Sequence, residues 1–183
     1  MARGKHHGSS TVVEHSAKSL EQLLADGASE ERFSAEISKL FQVRPTEVAL
    51  LRLEKGFLKF VFPFELRTVG AIPLSSSSAV AAHTAMTKRR ELFNSFNKVK
   101  HAGVFESVKL GKPEETNPDS APIQKLMSAP VLDTDGNVLG VIQISRKGLD
   151  STTCGQDFTV DDLQQLEAAA AIIAKTPFMR STG

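Results

Sequence analysis

The chain of 183 residues contains a single cysteine, Cys154, and neither tryptophan nor tyrosine; its aromatic side chains are all phenylalanine. One thiol excludes an internal disulfide framework, a cysteine-rich zinc site and a CxxC redox pair, and it suits a reducing compartment, so the expected location is cytoplasmic. Without tryptophan, intrinsic tryptophan fluorescence cannot report binding. No apolar run approaches the ~20 residues of a membrane span, and the opening MARGKHHGSSTVV lacks the apolar core of a secretory signal. An excess of either charge is also missing: Lys and Arg total 22 against 21 Asp and Glu, a net charge of +1. Neither nucleic acid nor an anionic membrane is therefore expected as a partner. Basic residues do gather locally, at Lys88, Arg89, Arg90, Lys98, Lys100, Lys109 and Lys112; such a patch can attract an anionic ligand or partner, but its plain reading is a solvated loop.

Familiar catalytic signatures are absent too. There is no GxSxG elbow, phosphate-binding GxxxxGK loop, HExxH helix or paired-cysteine spacing. Asp133, Asp135 and Gly136 resemble the middle of a calcium loop, but that register would place Val131 and Ile142 at ligand positions, which neither can fill. His83 and His101 have no Ser, Cys or carboxylate partner close in sequence. The expectation is a chain without catalytic residues, metal or cofactor, and not an enzyme.

What is present is organised around Ile123 to Lys147. Val131, Leu132, Val138, Leu139, Val141, Ile142 and Ile144 make two apolar strands, and Asp133 to Asn137 supply a tight turn between them. Both faces of the second strand carry apolar residues, which predicts a central strand covered on both sides. Gln143 and Ser145 share the face opposite Ile142 and Ile144, and a polar pair there makes sense beside a pocket or water.

Around that hairpin the patterns predict a disordered arm over residues 1–15, one domain over 16–176 and a tail over 177–183. Leu20, Leu23 and Leu24 give a short helix from Ser16 to Gly27, and Phe33, Ile37, Leu40 and Phe41 give a second from about Ser29 to Gln42. A second hairpin is expected from Glu47–Glu54 and Phe57–Phe62, turned at Lys55 and Gly56 and closed by Pro63. Ser75 to Ser78 precede a short helix ending near Thr87 and are expected to cap it; a serine-ringed N-terminus can also cradle an anion. Glu91 to Gly111 reads as short helices and turns, and Lys112 to Ala121 as a surface loop. The final helix starts with a capping box, Thr159 and Asp162, and a hydrophobic staple, Phe158 and Leu163; it is stopped by Pro177.

The segments APVLDTDGNVLGVIQISRK and FTVDDLQQLEAAAAIIA resemble the C-terminal half of a GAF domain, and GAIPLSSSSAVAAHTAMTKR is similar to its pocket-flanking helix. The resemblance covers roughly residues 29–175. It implies an α+β fold: a central antiparallel sheet of five or six strands, terminal helices on one face, and short helices and loops over a pocket on the other. Cyclic-nucleotide-binding members carry a motif whose Lys, Phe and Asp are matched by Lys147, Phe158 and Asp162, while Arg146 and Leu163 depart from it. A structural lock is expected from these three residues, with an ion pair between Lys147 and Asp162. Cyclic nucleotide is consequently not favoured as a ligand. A bilin is not expected either, because Cys154 is followed by Gly155 instead of His. Free methionine sulfoxide reductases of this family use several cysteines, and one thiol cannot both attack and resolve to an internal disulfide.

The expected function is that of a non-catalytic sensory module that binds a small molecule and signals through a helical homodimer to a separate protein partner. Pocket candidates are Phe62, Ser75, Ser77, Phe93, Phe96, His101, Phe105, Gln143 and Ser145, although aromatic residues more often pack interiors than meet ligands. The alternative is a dimeric interaction scaffold whose pocket is filled by its own side chains.

Overall fold

A computed structural model of the chain describes residues 8–96 and 121–180. Six strands form one antiparallel sheet: β1 (Val48–Glu54), β2 (Phe57–Phe62), β3 (Ile72–Pro73), β4 (Glu91–Phe93), β5 (Ile123–Leu132) and β6 (Val138–Lys147), in the order β3-β2-β1-β6-β5-β4. Among the described residues the α-helices are α1 (Gly8–Ala25), α2 (Glu30–Leu40), α3 (Val80–Thr87) and α4 (Val160–Ile173). The expected α+β class and two-sided cover are what is observed. β6 is central, flanked by β1 and β5.

Both hairpins follow from their turns. Lys55 and Gly56 each take positive φ, 50° and 82°, between β1 and β2, which is the twist-matched two-residue connection. In the β5–β6 turn, the Asp133 carboxylate accepts the N–H groups of Asp135 and Asn137, each at 2.9 Å, an Asx turn that fixes register. Gly140 is required for close approach: a Cβ there would lie 1.9 Å from the Leu51 carbonyl oxygen.

Alternation along these strands sorts two cores. Val48, Leu50, Met127, Ala129, Val131, Ile142 and Ile144 face α1, α2 and α4, packing with Leu20, Phe33, Ile37, Leu163, Leu166 and Ile173. Ala49, Leu51, Leu58, Phe60, Leu126 and Val141 face α3, packing with Ala81, Ala82, Ala85 and Phe96.

Four details differ from the sequence reading. α1 begins at Gly8, well before Ser16, so helix covers half of the span expected as an arm. The serine run does not cap α3: its N-cap is Ala79, with no side-chain cap bond, because the hydroxyls stand upstream of the residue whose side chain could reach the free N–H groups. A three-residue strand, β4, occupies Glu91–Phe93, paired through Leu92 to Met127, where turns and short helices were expected. The register of β1 on β2 shifts where Leu50 faces Phe62 and Leu51 faces Phe60, so Val61 is an extra residue. Such a bulge moves the following side chain to the other face.

Candidate functional site

The face under α3 carries a polar row within an apolar layer. Gln143 on β6 lies beside Ala49 on β1 and Ser128 on β5, and α3 brings Thr84 down onto Ser128. The Thr84 and Ser128 hydroxyls are 2.7 Å apart, and Gln143 Nε2 donates to Ser128 Oγ at 3.2 Å. All three residues are fully buried. Gln143 Oε1 is also buried and has no hydrogen-bond partner among the described residues. One end of the amide meets Ser128 and the other meets no polar group among the described residues: as placed, Oε1 and one N–H are unpaired, and the reverse orientation would instead leave both N–H groups unpaired. Leaving a buried acceptor unpaired costs about 1–3 kcal/mol, so an orphan of this kind calls for an explanation. The row contains no ionisable group, and it can therefore orient a ligand by hydrogen bonding without supplying charge.

Ser145, two residues on, is equally buried, but its Oγ donates to the Glu47 carbonyl at 3.4 Å. It belongs to a junction in which the buried Glu47 carboxylate accepts the Lys147 backbone N–H at 2.7 Å and pairs with Arg44 at 3.1 Å. Phe93 and Phe96 meet edge to face, with ring centroids 6.0 Å apart, and both pack with the α3-side core. Ser75 and Ser77 are exposed in the approach to α3. Phe62 is a correction: it lies in the helical core, not toward α3, because the bulge at Val61 reverses the side to which it points. His101 and Phe105 lie outside the described residues.

The expected lock is built from different atoms. Asp162 closes the α4 capping box, its Oδ2 accepting the Thr159 N–H at 2.8 Å while its own N–H donates to Thr159 Oγ1 at 3.1 Å. Lys147 Nζ donates instead to the Thr46 carbonyl at 3.4 Å, and among the described residues the Lys147–Asp162 ion pair is not formed. Phe158 does hold the junction. Its backbone N–H and carbonyl are clamped by the Asn94 side-chain amide, each bond 2.9 Å, and the Arg146 guanidinium lies 4.7 Å over its ring. Arg146 also donates to the Gln42 carbonyl at 3.3 Å. Beside it, Lys125, with only 4% of its side chain exposed, reaches Asp157 at 2.6 Å and the Gly155 carbonyl at 2.9 Å.

His83, for which the local sequence offers no partner, has Glu91 Oε1 at 2.5 Å from its Nδ1. The connection that carries Cys154 is folded by Asp150, whose carboxylate accepts from the Thr152 and Thr153 hydroxyls at 2.7 and 3.0 Å. Those bonds, the Thr152 hydroxyl first, hold its pKa at about 2. Among the described residues no group of three His, Cys, Asp or Glu side chains is placed to hold a metal ion, and no helix is long and apolar enough to cross a membrane.

Thr84, Ser128, Asn94 and Lys125 were missed in the sequence. Ser128 had a legible signal, a hydroxyl alternating with Leu126, Pro130 and Leu132 on one face of its strand. Thr84 had a weaker one, a hydroxyl amid the alanines of a short helix.

Comparison with known proteins places this architecture. The GAF domain family model matches residues 30–176. No curated protein matches the chain significantly in sequence. The structure is similar to the GAF domain of an Acinetobacter phosphoenolpyruvate-protein phosphotransferase at 11% identity and a TM-score of 0.65, covering 90% of this chain and 91% of that one. It is also similar to a structure described as the GAF domain, at 19% identity and a TM-score of 0.61, covering 96% and 92%. A third similar structure is free methionine-R-sulfoxide reductase from Neisseria meningitidis in complex with its substrate, at 14% identity and a TM-score of 0.59, covering 98% and 93%. The last likeness overturns the expectation that the chain is not an enzyme. Enzymes share this fold, and a count of cysteines rules out only an internal disulfide, not catalysis.

Proposed function

Given that the chain belongs to the GAF domain family, we propose that it is a regulatory domain that holds a small molecule on the α3 face of its sheet. Gln143 is the central polar contact, Ser128 and Thr84 fix its orientation, and Phe93 and Phe96 provide apolar wall. The observation that carries this reading is Gln143 Oε1, a buried acceptor without a partner among the described residues, in a layer that is otherwise apolar apart from Thr84, Ser128 and Ser145. A ligand donating an N–H or O–H there would remove the desolvation penalty. Occupancy is transmitted through the shared strands β5 and β6 to α4 and α1, and those helices supply a homodimer contact from which a protein partner reads the state.

The rival reading, a dimeric scaffold with a filled pocket, draws support from the complete burial of the same row. A native mass spectrum of gently purified protein separates the two. The ligand reading predicts an added mass on the wild type that is released on denaturation and is missing from Gln143→Met; bare wild-type protein contradicts it.

A further inference from the structure

Across the sheet from Gln143, a groove of about 350 Å³ is lined by Glu30, Arg52, Lys59, Phe60, Val61, Arg67 and Phe178. Three cationic side chains converge on it, and each is held by the protein. Arg52 donates through Nη1 to the Phe178 carbonyl at 3.1 Å and is ion-paired with Glu54. Lys59 pairs with the same carboxylate at 3.0 Å. Arg67 donates through Nε to the Val61 carbonyl at 2.8 Å, with its guanidinium 4.2 Å over the Phe64 ring.

Acceptors are fewer than donors. Glu54 serves two cations, and Glu30 reaches Arg67 only at 3.9 Å, beyond hydrogen-bond distance. The buried Nε–H of Arg52 has no acceptor among the described residues. Glu30 also stands in the first turn of α2, next to the N-cap Ser29, where the helix dipole adds positive potential.

From this groove we infer a second binding site, for a small organic carboxylate with an apolar body. The carboxylate is bound by the guanidinium of Arg67 and by Arg52, in the planar, charge-assisted geometry that arginine provides. The apolar body lies against Phe60 and Phe178. Glu30 competes for Arg67 and is displaced on binding, so it acts as a built-in counter-ligand.

Benzoate, with benzamide as its neutral isostere, tests the site by backbone NMR titration. In the wild type, benzoate gives saturable shifts at Glu30, Lys59, Arg67 and Phe178, and benzamide binds about tenfold or more weakly. Arg67→Gln weakens benzoate by roughly tenfold. Glu30→Gln tightens it by roughly twofold to tenfold, and because this variant gains affinity its result cannot be ascribed to misfolding. Equal binding of benzamide, non-saturable benzoate shifts, or unchanged affinity in Glu30→Gln each overturns the proposal. These outcomes are independent of whether a molecule occupies the α3 face.

Discussion

The two faces of the sheet are built to different rules. The helical face is apolar throughout its centre, with Ile142, Ile144, Met127 and Leu50 closed over by phenylalanine and leucine from three helices. The α3 face has comparable burial but interrupts its apolar layer with Thr84, Ser128 and Gln143, and leaves the Gln143 amide oxygen without a partner among the described residues. A core selected only for stability replaces such a group by an apolar one of similar shape, because a half-satisfied polar network costs more than none. The difference teaches that the helical face holds the fold together, whereas the α3 face keeps a group whose purpose lies outside stability.

The sharpest way to break this contrast is in the helical core. Phe33 is nearly fully buried and packs edge to face on Phe178, with centroids 5.5 Å apart. Phe33→Ala is expected to cost about 3–5 kcal/mol in urea unfolding, and a loss under about 1 kcal/mol would deny that face its structural role.

Next in size is the clasp at the end of the sheet. Asp157→Asn leaves the buried ammonium of Lys125 without a countercharge, facing only neutral oxygens, and is expected to cost about 1–2 kcal/mol. Lys125→Met, which removes the charge together with its need for a partner, is expected to cost less. The reverse order of the two variants would show that the pair itself stabilises the fold.

The smallest structural effect is expected at Asp150. Its carboxyl titrates at about 2 in the folded chain against an ordinary 3.8. The hydrogen bonds that lower its pKa stabilise the fold fully above the ordinary value, and that contribution is lost as pH falls through about 2. Between about pH 5 and pH 2 the melting temperature of the wild type should therefore fall further than that of Asp150→Asn; parallel profiles would remove Asp150 from the account.

How much of this contrast is legible in the sequence depends on the range over which each feature is set. Local chemistry was readable: the turns at Lys55–Gly56 and Asp133–Asn137, the capping box of Thr159 and Asp162, and the apolar stripes of α2 and α4 all depend on neighbours a few residues away. Period-two alternation was enough to put Gln143 opposite Ile142 and Ile144. It failed for Phe62, because one extra residue at Val61 reverses the face and a bulge leaves no mark in the hydrophobic pattern. The clamp of Asn94 on Phe158 joins residues 64 positions apart, and that of Lys125 on Asp157 spans 32. Such pairs are made by topology, and the Lys147–Asp162 ion pair expected from the family motif gives way to Lys147 on the Thr46 carbonyl and Asp162 in the α4 capping box.

The most direct test of the division between the faces is the unfolding free energy of Gln143→Met beside the wild type, both stripped of small molecules by refolding. Methionine keeps the length and loses the orphaned acceptor, so the variant is expected to equal the wild type or exceed it by up to about 1 kcal/mol. A loss of more than about 2 kcal/mol would mean that the amide is retained for stability after all, and that the two faces do not differ in kind.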